Sequence, residues 1–403
     1  MQYYSKTGTP MTNVATTEAV RRYLPEMVEF TRQLVAVPSE NPPGNHYAEA
    51  VDLISRHLQR LGFEPQIQSD CVLSFVGEGD RTLYFSGHYD VVPAGSRTQF
   101  EPLLSGKNLF GRGSSDMKSG LAAMIYAAQA VRESGTRLNG RIGLVFVPDE
   151  ETAGPRGSRY LQERGLLGQN GVGMLTPEPT GGVVWNANRG AITLKVTVKG
   201  KPAHVGRQYE GFNAFEGMMG LARNLAELKK DVEARVTGFQ IEPQRARHSI
   251  LLLGGQTAGG VNFNVVPESC WFTVDRRINP EEDFDREKDR LISLITQTPA
   301  TLGRVEVEIL QEGRSASTAA DTSLGVALSR SVERVTGAAP RFEMCPGLLE
   351  TRFYAHRSIP AYAYGPGLLA VSHGPREFVP IENIASCAAV YALTAIEVLS
   401  LTG

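Results

Sequence analysis

The stretch RTLYFSGHYDVV (residues 81–92) opens the part of the chain that decides its fold. It is apolar and β-rich with charged residues near its end, as is a second stretch, RIGLVFVPDEE (residues 141–151). Between them, the Ala-rich segment from Met117 to Ser134 is typical of a helix that stops at Gly135. This order predicts a mostly parallel sheet covered by helices on both faces, with ligands bound beyond the carboxyl ends of its strands.

The middle of the chain changes pattern after Gly190. A segment that alternates at period two is followed by a helical apolar stripe, two strand candidates, a helix with a predicted cap at Asn279, and a last strand. These elements are predicted at residues 191–200, 213–230, 248–255, 270–277, 279–298 and 304–310. The order βαββαβ is that of a ferredoxin-like unit, small enough to be an inserted domain.

The length of 403 residues exceeds one ordinary domain, so two cores are expected. The last quarter of the chain returns to helix, strand and helix and is predicted to rejoin the first sheet. We therefore predict an α/β protein in which residues 18–189 and 314–403 form the domain with the mostly parallel sheet. Residues 190–313 are predicted to form the inserted ferredoxin-like domain, and residues 1–17 a frayed polar leader.

Composition excludes several classes of function. Lys plus Arg number 41 against 43 acidic residues, so no overall field exists to hold nucleic acid or an anionic membrane. The four cysteines lie far apart without a CxxC pair, which argues against a disulfide scaffold and against a thiolate zinc site. No stretch reaches the roughly 20 apolar residues of a membrane span, and the first residues lack the apolar region of a signal peptide. A cytoplasmic protein with a small-molecule or peptide ligand is expected.

Polar residues that a compact core would avoid occur at predicted strand ends and loops. The segments are SGHYDVVPAG, GRGSSDMKSG, PDEETAG, TPEPT and SHGPREFVP, which contain His88, Asp90, Asp116, Glu150, Glu151, Glu178 and His373. Imidazole and carboxylate together are what zinc, cobalt and manganese accept, and the lack of thiolates favours an open catalytic site. Two imidazoles and three carboxylates can serve two ions if one carboxylate bridges them, and Asp90 can accept the other ring N–H of His88.

In these motifs the chain resembles the M20 metallopeptidases, a family that includes acetylornithine deacetylase, succinyl-diaminopimelate desuccinylase, aminoacylases and glutamate carboxypeptidases. The resemblance runs from about Ile54 to the last helix and rests on HYD, GRGSSDMK, DEE, EPT and SHGP in this order. It implies a catalytic domain with two divalent metal ions, zinc first and cobalt or manganese as alternatives. It also implies that the inserted domain is a lid through which the chain forms a homodimer.

The resemblance assigns roles to the metal-site residues. One ion is expected on His88 and Glu178, the other on Glu151 and His373, with Asp116 bridging them. Glu150 corresponds to the general base of the family, which takes a proton from the attacking water and passes it to the leaving amine.

Four residues outside this group are also implied. In KPAHVG, His204 corresponds to a histidine that stabilises the oxyanion from the other subunit of the dimer. Asn264 and Arg277 match residues that hold the substrate carboxylate, and Gly347 belongs to the same expected set. The segment GLLETRF (residues 347–353) departs from the GGTDARF of many deacylases of the family, which points to a more apolar or differently placed substrate group.

The function predicted from the sequence is hydrolysis of an amide bond in a small N-acylated amino acid. A carboxypeptidase or dipeptidase acting on short peptides or acylglutamate-like compounds is the alternative within this class. A non-catalytic binding protein of the same fold is the alternative from another class, although it would not need the full motif set. His46, His57, His248 and His356 are expected to be structural, and the Gly-rich segments lack the GxxxxGK[ST] form of a phosphate loop.

Overall fold

The computed structural model describes residues 13–297 and 303–400, which divide into two compact units. Unit 1 comprises the chain up to Asn186, Ser317–Phe342, and the chain from Glu350 onward, whereas unit 2 comprises Ala187–Ala316 and Glu343–Leu349. Residues 343–349 had been assigned from sequence to the first domain. They belong to unit 2 because the Met344 N–H donates to the Gln240 carbonyl (2.7 Å) and the Arg189 N–H to the Gly347 carbonyl (3.0 Å).

The elements alternate as the sequence indicates. The helices are α1 (Asn13–Arg22), α2 (Leu24–Ala36), α3 (Tyr47–Arg60), α4 (Ser119–Glu133), α5 (Ser158–Glu163), α6 (Ala214–Glu233), α7 (Phe284–Thr296), α8 (Ser323–Thr336), α9 (Thr351–Ala355) and α10 (Ile381–Leu399). The strands are β1 (Gln66–Gln68), β2 (Cys71–Glu78), β3 (Thr82–His88), β4 (Leu103–Ser105), β5 (Asn108–Phe110), β6 (Gly140–Val147), β7 (Gly171–Thr176), β8 (Val184–Asn188), β9 (Gly190–Lys199), β10 (Ile250–Gly259), β11 (Ser269–Ile278), β12 (Arg304–Gly313), β13 (Ala316–Ser317), β14 (Phe342–Cys345), β15 (Ala361–Ala363) and β16 (Phe378–Pro380).

The main sheet of unit 1 confirms the predicted parallel core. Its strands follow the order β1-β2-β6-β3-β7-β15-β8, with β6, β3, β7 and β15 parallel to their neighbours in this series. Strands β1, β2 and β8 add antiparallel edges. The pairing of β15 with β7 shows that the last quarter of the chain rejoins the first sheet.

Alternate residues of the central strands enter different cores, as expected of a sheet covered on both faces. Leu83 and Phe85 of β3 pack in the core that includes α4 and α10. Tyr84, between them, packs in a second core with residues of α5 and α9, such as Leu161 and Tyr354. Helix α10 is long and apolar enough to cross a membrane by composition alone, but most of it is buried here as a core helix.

The first helices differ from the prediction in one respect. Residues 13–17, expected to be part of a polar leader, form the start of α1, and the remainder of that leader lies outside the described residues. Pro25 lies in the first turn of α2, where its missing N–H costs no hydrogen bond. The chain therefore breaks at Tyr23 and forms two helices.

Unit 2 has the predicted βαββαβ order. Its antiparallel sheet follows β10-β11-β9-β12, and α6 and α7 pack on the core formed by residues such as Leu194, Leu225 and Leu291. The predicted cap of α7 at Asn279 is wrong. The cap is Asp283, whose carboxylate accepts from the Arg286 N–H (3.1 Å), because the Asn279 side chain already accepts from the buried Arg189 guanidinium (3.0 Å).

His57 is buried in unit 1, stacked on Phe30 with ring centroids 3.7 Å apart. Burial, followed by the charge of Arg60, lowers the pKa of His57 from 6.5 to about 4. The neutral ring therefore stabilises the fold fully above pH 6.5, and this contribution, about 3 kcal/mol in all, is lost progressively as the pH falls from 6.5 to about 4. We predict that the free energy of unfolding falls less for His57→Gln than for the wild type between pH 7 and pH 4. The difference between the two decreases, measured by urea titration, should equal this contribution.

The exposed His356 supplies the control for this prediction. His356→Gln should lose stability with acid as the wild type does. Equal acid sensitivity of His57→Gln and the wild type would contradict the assignment of His57 as a buried neutral histidine.

Candidate metal centre

Three neighbouring parallel strands of unit 1 end at the same edge of the sheet, because parallel strands share their direction. Strand β3 ends at His88, β6 is followed by Glu150 and Glu151, and β7 is followed by Glu178. Asp116 lies in the irregular turn that leads into α4.

Five predicted ligands form two groups in which all candidate ligand atoms lie within 4.8 Å of one another. The first contains His88, Asp116 and Glu178, and the second contains Asp116, Glu151 and His373. Asp116 belongs to both and divides its oxygens between them. Its Oδ1 lies 3.4 Å from His88 Nε2, and its Oδ2 lies 3.4 Å from His373 Nε2.

Three buried polar atoms of this cluster have no hydrogen-bond partner among the described residues, and a bound ligand would supply one. His88 Nε2, Glu151 Oε1 and Glu178 Oε1 are buried and make no hydrogen bond with any described residue. Buried polar atoms are normally paired, and unpaired ones are costly. Imidazole nitrogen and carboxylate oxygen are suitable ligands for divalent cations, so the residues present fit metal ions.

The electrostatics of the cluster show an excess of negative charge. Burial, together with the neighbouring carboxylates, raises the pKa of Glu150 and Glu151 and raises that of Glu178 to about 8. Asp116 and Glu151, whose carboxylate oxygens lie 3.4 and 3.2 Å from His373 Nε2, raise the pKa of that imidazole to about 11. Cations would stabilise the deprotonated acids at this position.

Asp90 lies beside the ring of His88 and also binds the segment that follows β6. The Nδ1 of His88 lies 3.0 Å from the backbone carbonyl of Asp90 and 3.4 Å from its carboxylate, so the carbonyl is the closer acceptor. The carboxylate instead accepts from the backbone N–H groups of Glu150 and Glu151, each at 3.3 Å, and from Asn41 Nδ2 at 2.9 Å. Asp90 therefore fixes the segment that carries both glutamates.

Glu150 lies beside the cluster without belonging to either ligand group. Its Oε2 is 3.9 Å from His88 Nε2, and its side chain is mostly buried. This arrangement leaves the carboxylate available to exchange a proton next to the candidate metal ligands.

Sequence reasoning missed several residues that support the site. Lys118 is fully buried, and its ammonium donates to the carbonyls of Leu34 (2.9 Å) and Val37 (2.7 Å), which fixes the turn after Asp116. Glu350, in the segment that departs from the family pattern, is also buried, and its carboxylate lies 3.6 Å from the Arg352 guanidinium. The position of Lys118 inside the motif GRGSSDMK was the signal from which its supporting role could have been predicted.

In unit 2, the structure brings His204 close to Asn264. The Val205 N–H donates to the Asn264 carbonyl (2.9 Å), and the exposed His204 ring accepts from the Gly206 N–H (3.1 Å). Both residues lie near the end of the sheet where β11 begins, at Ser269.

Arg277 and Gly347 lie at the opposite end of the same sheet. In the pairing of β11 with β9, Arg277 lies opposite Ala191. Two residues before Ala191 is Arg189, whose N–H donates to the Gly347 carbonyl. The eight residue steps of β11 between Ser269 and Arg277 correspond to about 27 Å. The guanidinium of Arg277 binds both carboxylate oxygens of Asp275, at 2.7 and 2.9 Å. The four predicted substrate and oxyanion residues thus form two separate pairs within one chain.

The parallel α/β sheet collects histidines and carboxylates beyond its strand ends, in a chain that also contains a ferredoxin-like unit, and this arrangement fits the class of metal-binding α/β proteins. The family model described as Peptidase family M20/M25/M40 matches residues 84–397. The chain belongs to this family, as the resemblance implied.

Known relatives agree with this assignment. A succinyl-diaminopimelate desuccinylase of Gluconacetobacter diazotrophicus is 27% identical over 382 residues, which cover 90% of this chain and 94% of the relative. A metallo-carboxypeptidase of the M20 family from Sulfolobus solfataricus has a similar fold (TM-score 0.79, 16% identity, 93% and 100% of the two chains covered). So does a dinuclear metal-binding M20 peptidase from Bacillus subtilis (TM-score 0.67, 16% identity, 94% and 99% covered).

Proposed function

We propose that the protein is a cytoplasmic, metal-dependent amidohydrolase that cleaves the amide bond of a small N-acylated amino acid. The observation that carries the proposal is the pair of ligand groups that share Asp116. His88 and Glu178 would hold one divalent ion, Glu151 and His373 the other, with zinc, cobalt or manganese as the metal. When bound, such ions polarise a carbonyl and lower the pKa of a water molecule. The four buried cysteines form no disulfide, which suits a reducing compartment.

Glu150 would act as the general base. Its position next to His88, outside both ligand groups, allows it to remove a proton from the attacking water. The same carboxyl group then donates the proton to the leaving nitrogen.

A carboxypeptidase or dipeptidase is the second candidate. Metallo-carboxypeptidase and dipeptidase structures share this fold, whereas the curated relative at 27% identity is a desuccinylase. Leu348 replaces a polar threonine of the family pattern, so that a hydroxyl expected to meet the substrate carboxylate is missing. We favour the deacylase on the basis of the desuccinylase relative.

A homodimer would complete the site through unit 2. His204 and Asn264 lie at one end of the sheet and Arg277 at the other, so we propose that His204 and Asn264 serve the partner's active site. The loop that contains Asn264 also exposes two apolar side chains, those of Val261 (89% exposed) and Phe263 (96% exposed). Contact with a second copy of the chain would bury them.

Metal content and hydrolysis, measured before and after chelation, test the proposed function. We predict about two equivalents of metal per chain. We also predict cleavage of at least one member of a panel of N-acetyl, N-succinyl and N-carbamoyl amino acids and dipeptides. Chelation should abolish cleavage, and zinc, cobalt or manganese should restore it.

The outcomes separate the candidates. Cleavage of dipeptides alone would favour the peptidase, and bound metal without turnover on the whole panel would favour a binding protein of this fold. A chain that binds no metal would contradict the assignment of all five ligands.

A further inference from the structure

We propose that the buried ion pair between Arg112 and Glu377 holds the segments of Asp116 and His373 together and so positions both ligands for the same metal ion. Arg112 and Glu377 are positioning residues in this proposal, which rests on the proposed function. Neither residue belongs to the ligand groups described above.

Glu377 binds the Asp116 segment. Its side chain is fully buried, and its Oε1 accepts from the backbone N–H groups of Ser115 and Asp116, both at 3.0 Å. Its Oε2 accepts from Arg112 Nη1 at 2.6 Å. A carboxylate that accepts two adjacent backbone N–H groups fixes the direction of the peptide that carries Asp116.

Arg112 binds the His373 segment. Its Nη2 donates to the carbonyl of His373 (3.2 Å), and its Nη1 donates to the carbonyl of Gly374 (3.3 Å). His373 has a φ of 63°, an uncommon backbone conformation for a residue other than glycine. Its side chain is 49% exposed, so packing alone does not fix the ring. The backbone contact with Arg112 is therefore a main constraint on where the imidazole lies.

The local topology explains why these two segments meet. Arg112 comes two residues after β5, and Glu377 immediately precedes β16. The two strands pair antiparallel, with Phe110 opposite Phe378, and the Gly111 N–H donates to the Glu377 carbonyl (3.0 Å). The pairing of β5 with β16 thus joins the two loops, and the ion pair between Arg112 and Glu377 links the segments that carry Asp116 and His373.

The ion pair should therefore affect metal affinity as well as stability. Replacing a partner that orients a metal ligand commonly weakens metal binding about 10–100-fold. Because Asp116 and His373 share the second ligand group, the ion held by that group should be lost first.

Glu377→Gln tests the inference. Metal-free protein is titrated with zinc against a chromophoric chelator, and the cobalt-loaded form is examined by absorption spectroscopy. We predict that at least one zinc ion binds about 10–100-fold more weakly than in the wild type and that the cobalt spectrum changes. Glu287→Gln is the matched control, because Glu287 forms a buried ion pair with Arg276 (3.0 Å) in unit 2, and it should leave zinc affinity and spectrum unchanged.

A purely structural role gives a different result. If Glu377→Gln and Glu287→Gln both lower the unfolding temperature while zinc affinity stays within about twofold of the wild type, the inference is wrong, since a positioning role predicts a larger loss. If Glu377→Gln does not fold, Arg112→Lys decides, because lysine keeps the charge but cannot span both carbonyls and should show weaker zinc binding. Failure of the wild type to bind metal would overturn the proposed function instead.

Discussion

Glu150→Gln is expected to lower kcat about 10²–10⁴-fold while the protein keeps its full metal content. Glutamine preserves the shape of the side chain but cannot take a proton from water. Glu150 lies outside both ligand groups, so its replacement should not remove a metal ligand. Steady-state kinetics on the best substrate of the panel, with metal analysis of the same samples, measures both effects.

Glu151→Gln provides the contrast for this result. Glu151 is the next residue and lies 3.2 Å from His373, in the second ligand group. Its replacement should lower metal content and activity together, and added metal should restore part of the activity. If Glu150→Gln also lost metal, or retained full kcat, Glu150 would not be the general base.

A randomly paired mixture of Glu150→Gln and His204→Ala chains is expected to recover about a quarter of the wild-type activity, although each variant alone is nearly inactive. Random pairing makes half of the dimers mixed. If His204 acts across the dimer, one of the two sites in each mixed dimer combines an intact Glu150 with an intact His204 from the partner. Coexpression with two different affinity tags isolates the mixed dimers, which should have about half of the wild-type activity.

If His204 acts within its own subunit, the opposite result is expected. If His204 served its own subunit, each site of a mixed dimer would contain one defect, and activity would stay at the level of the single variants. A protein that remains monomeric at assay concentrations would exclude the dimer as well. Size-exclusion chromatography with light scattering distinguishes these cases before kinetics are measured.

The fold was predictable from sequence where apolar periodicity is strong. The runs ending at His88 and before Glu150 indicated parallel strands, and the shared direction of such strands explains why their terminal residues meet. Strand β2 (Cys71–Glu78), which lies between β1 and β6, was not predicted, although it pairs along its length with β6. Its short apolar run does not by itself distinguish a strand from a buried helical segment.

The details of polar pairing were less predictable. Asn279 has the residue type and position of a helix cap, but it binds Arg189, which is 90 positions away, and Asp283 caps the helix. Arg112 and Glu377 are 265 positions apart and meet only because β5 pairs with β16. Competition between distant partners for one polar side chain cannot be read from local spacing.

Three buried cysteines give each unit a chemical reporter of its own. Cys71 and Cys387 are buried in unit 1, and Cys270 is buried in unit 2. Burial raises the pKa of all three thiols, so the reactive thiolate is disfavoured while the cysteine is buried. The rate at which a thiol reagent labels each cysteine therefore measures how often its surroundings open. Mass spectrometry of labelled peptides would give separate opening rates for the two units without introducing any probe.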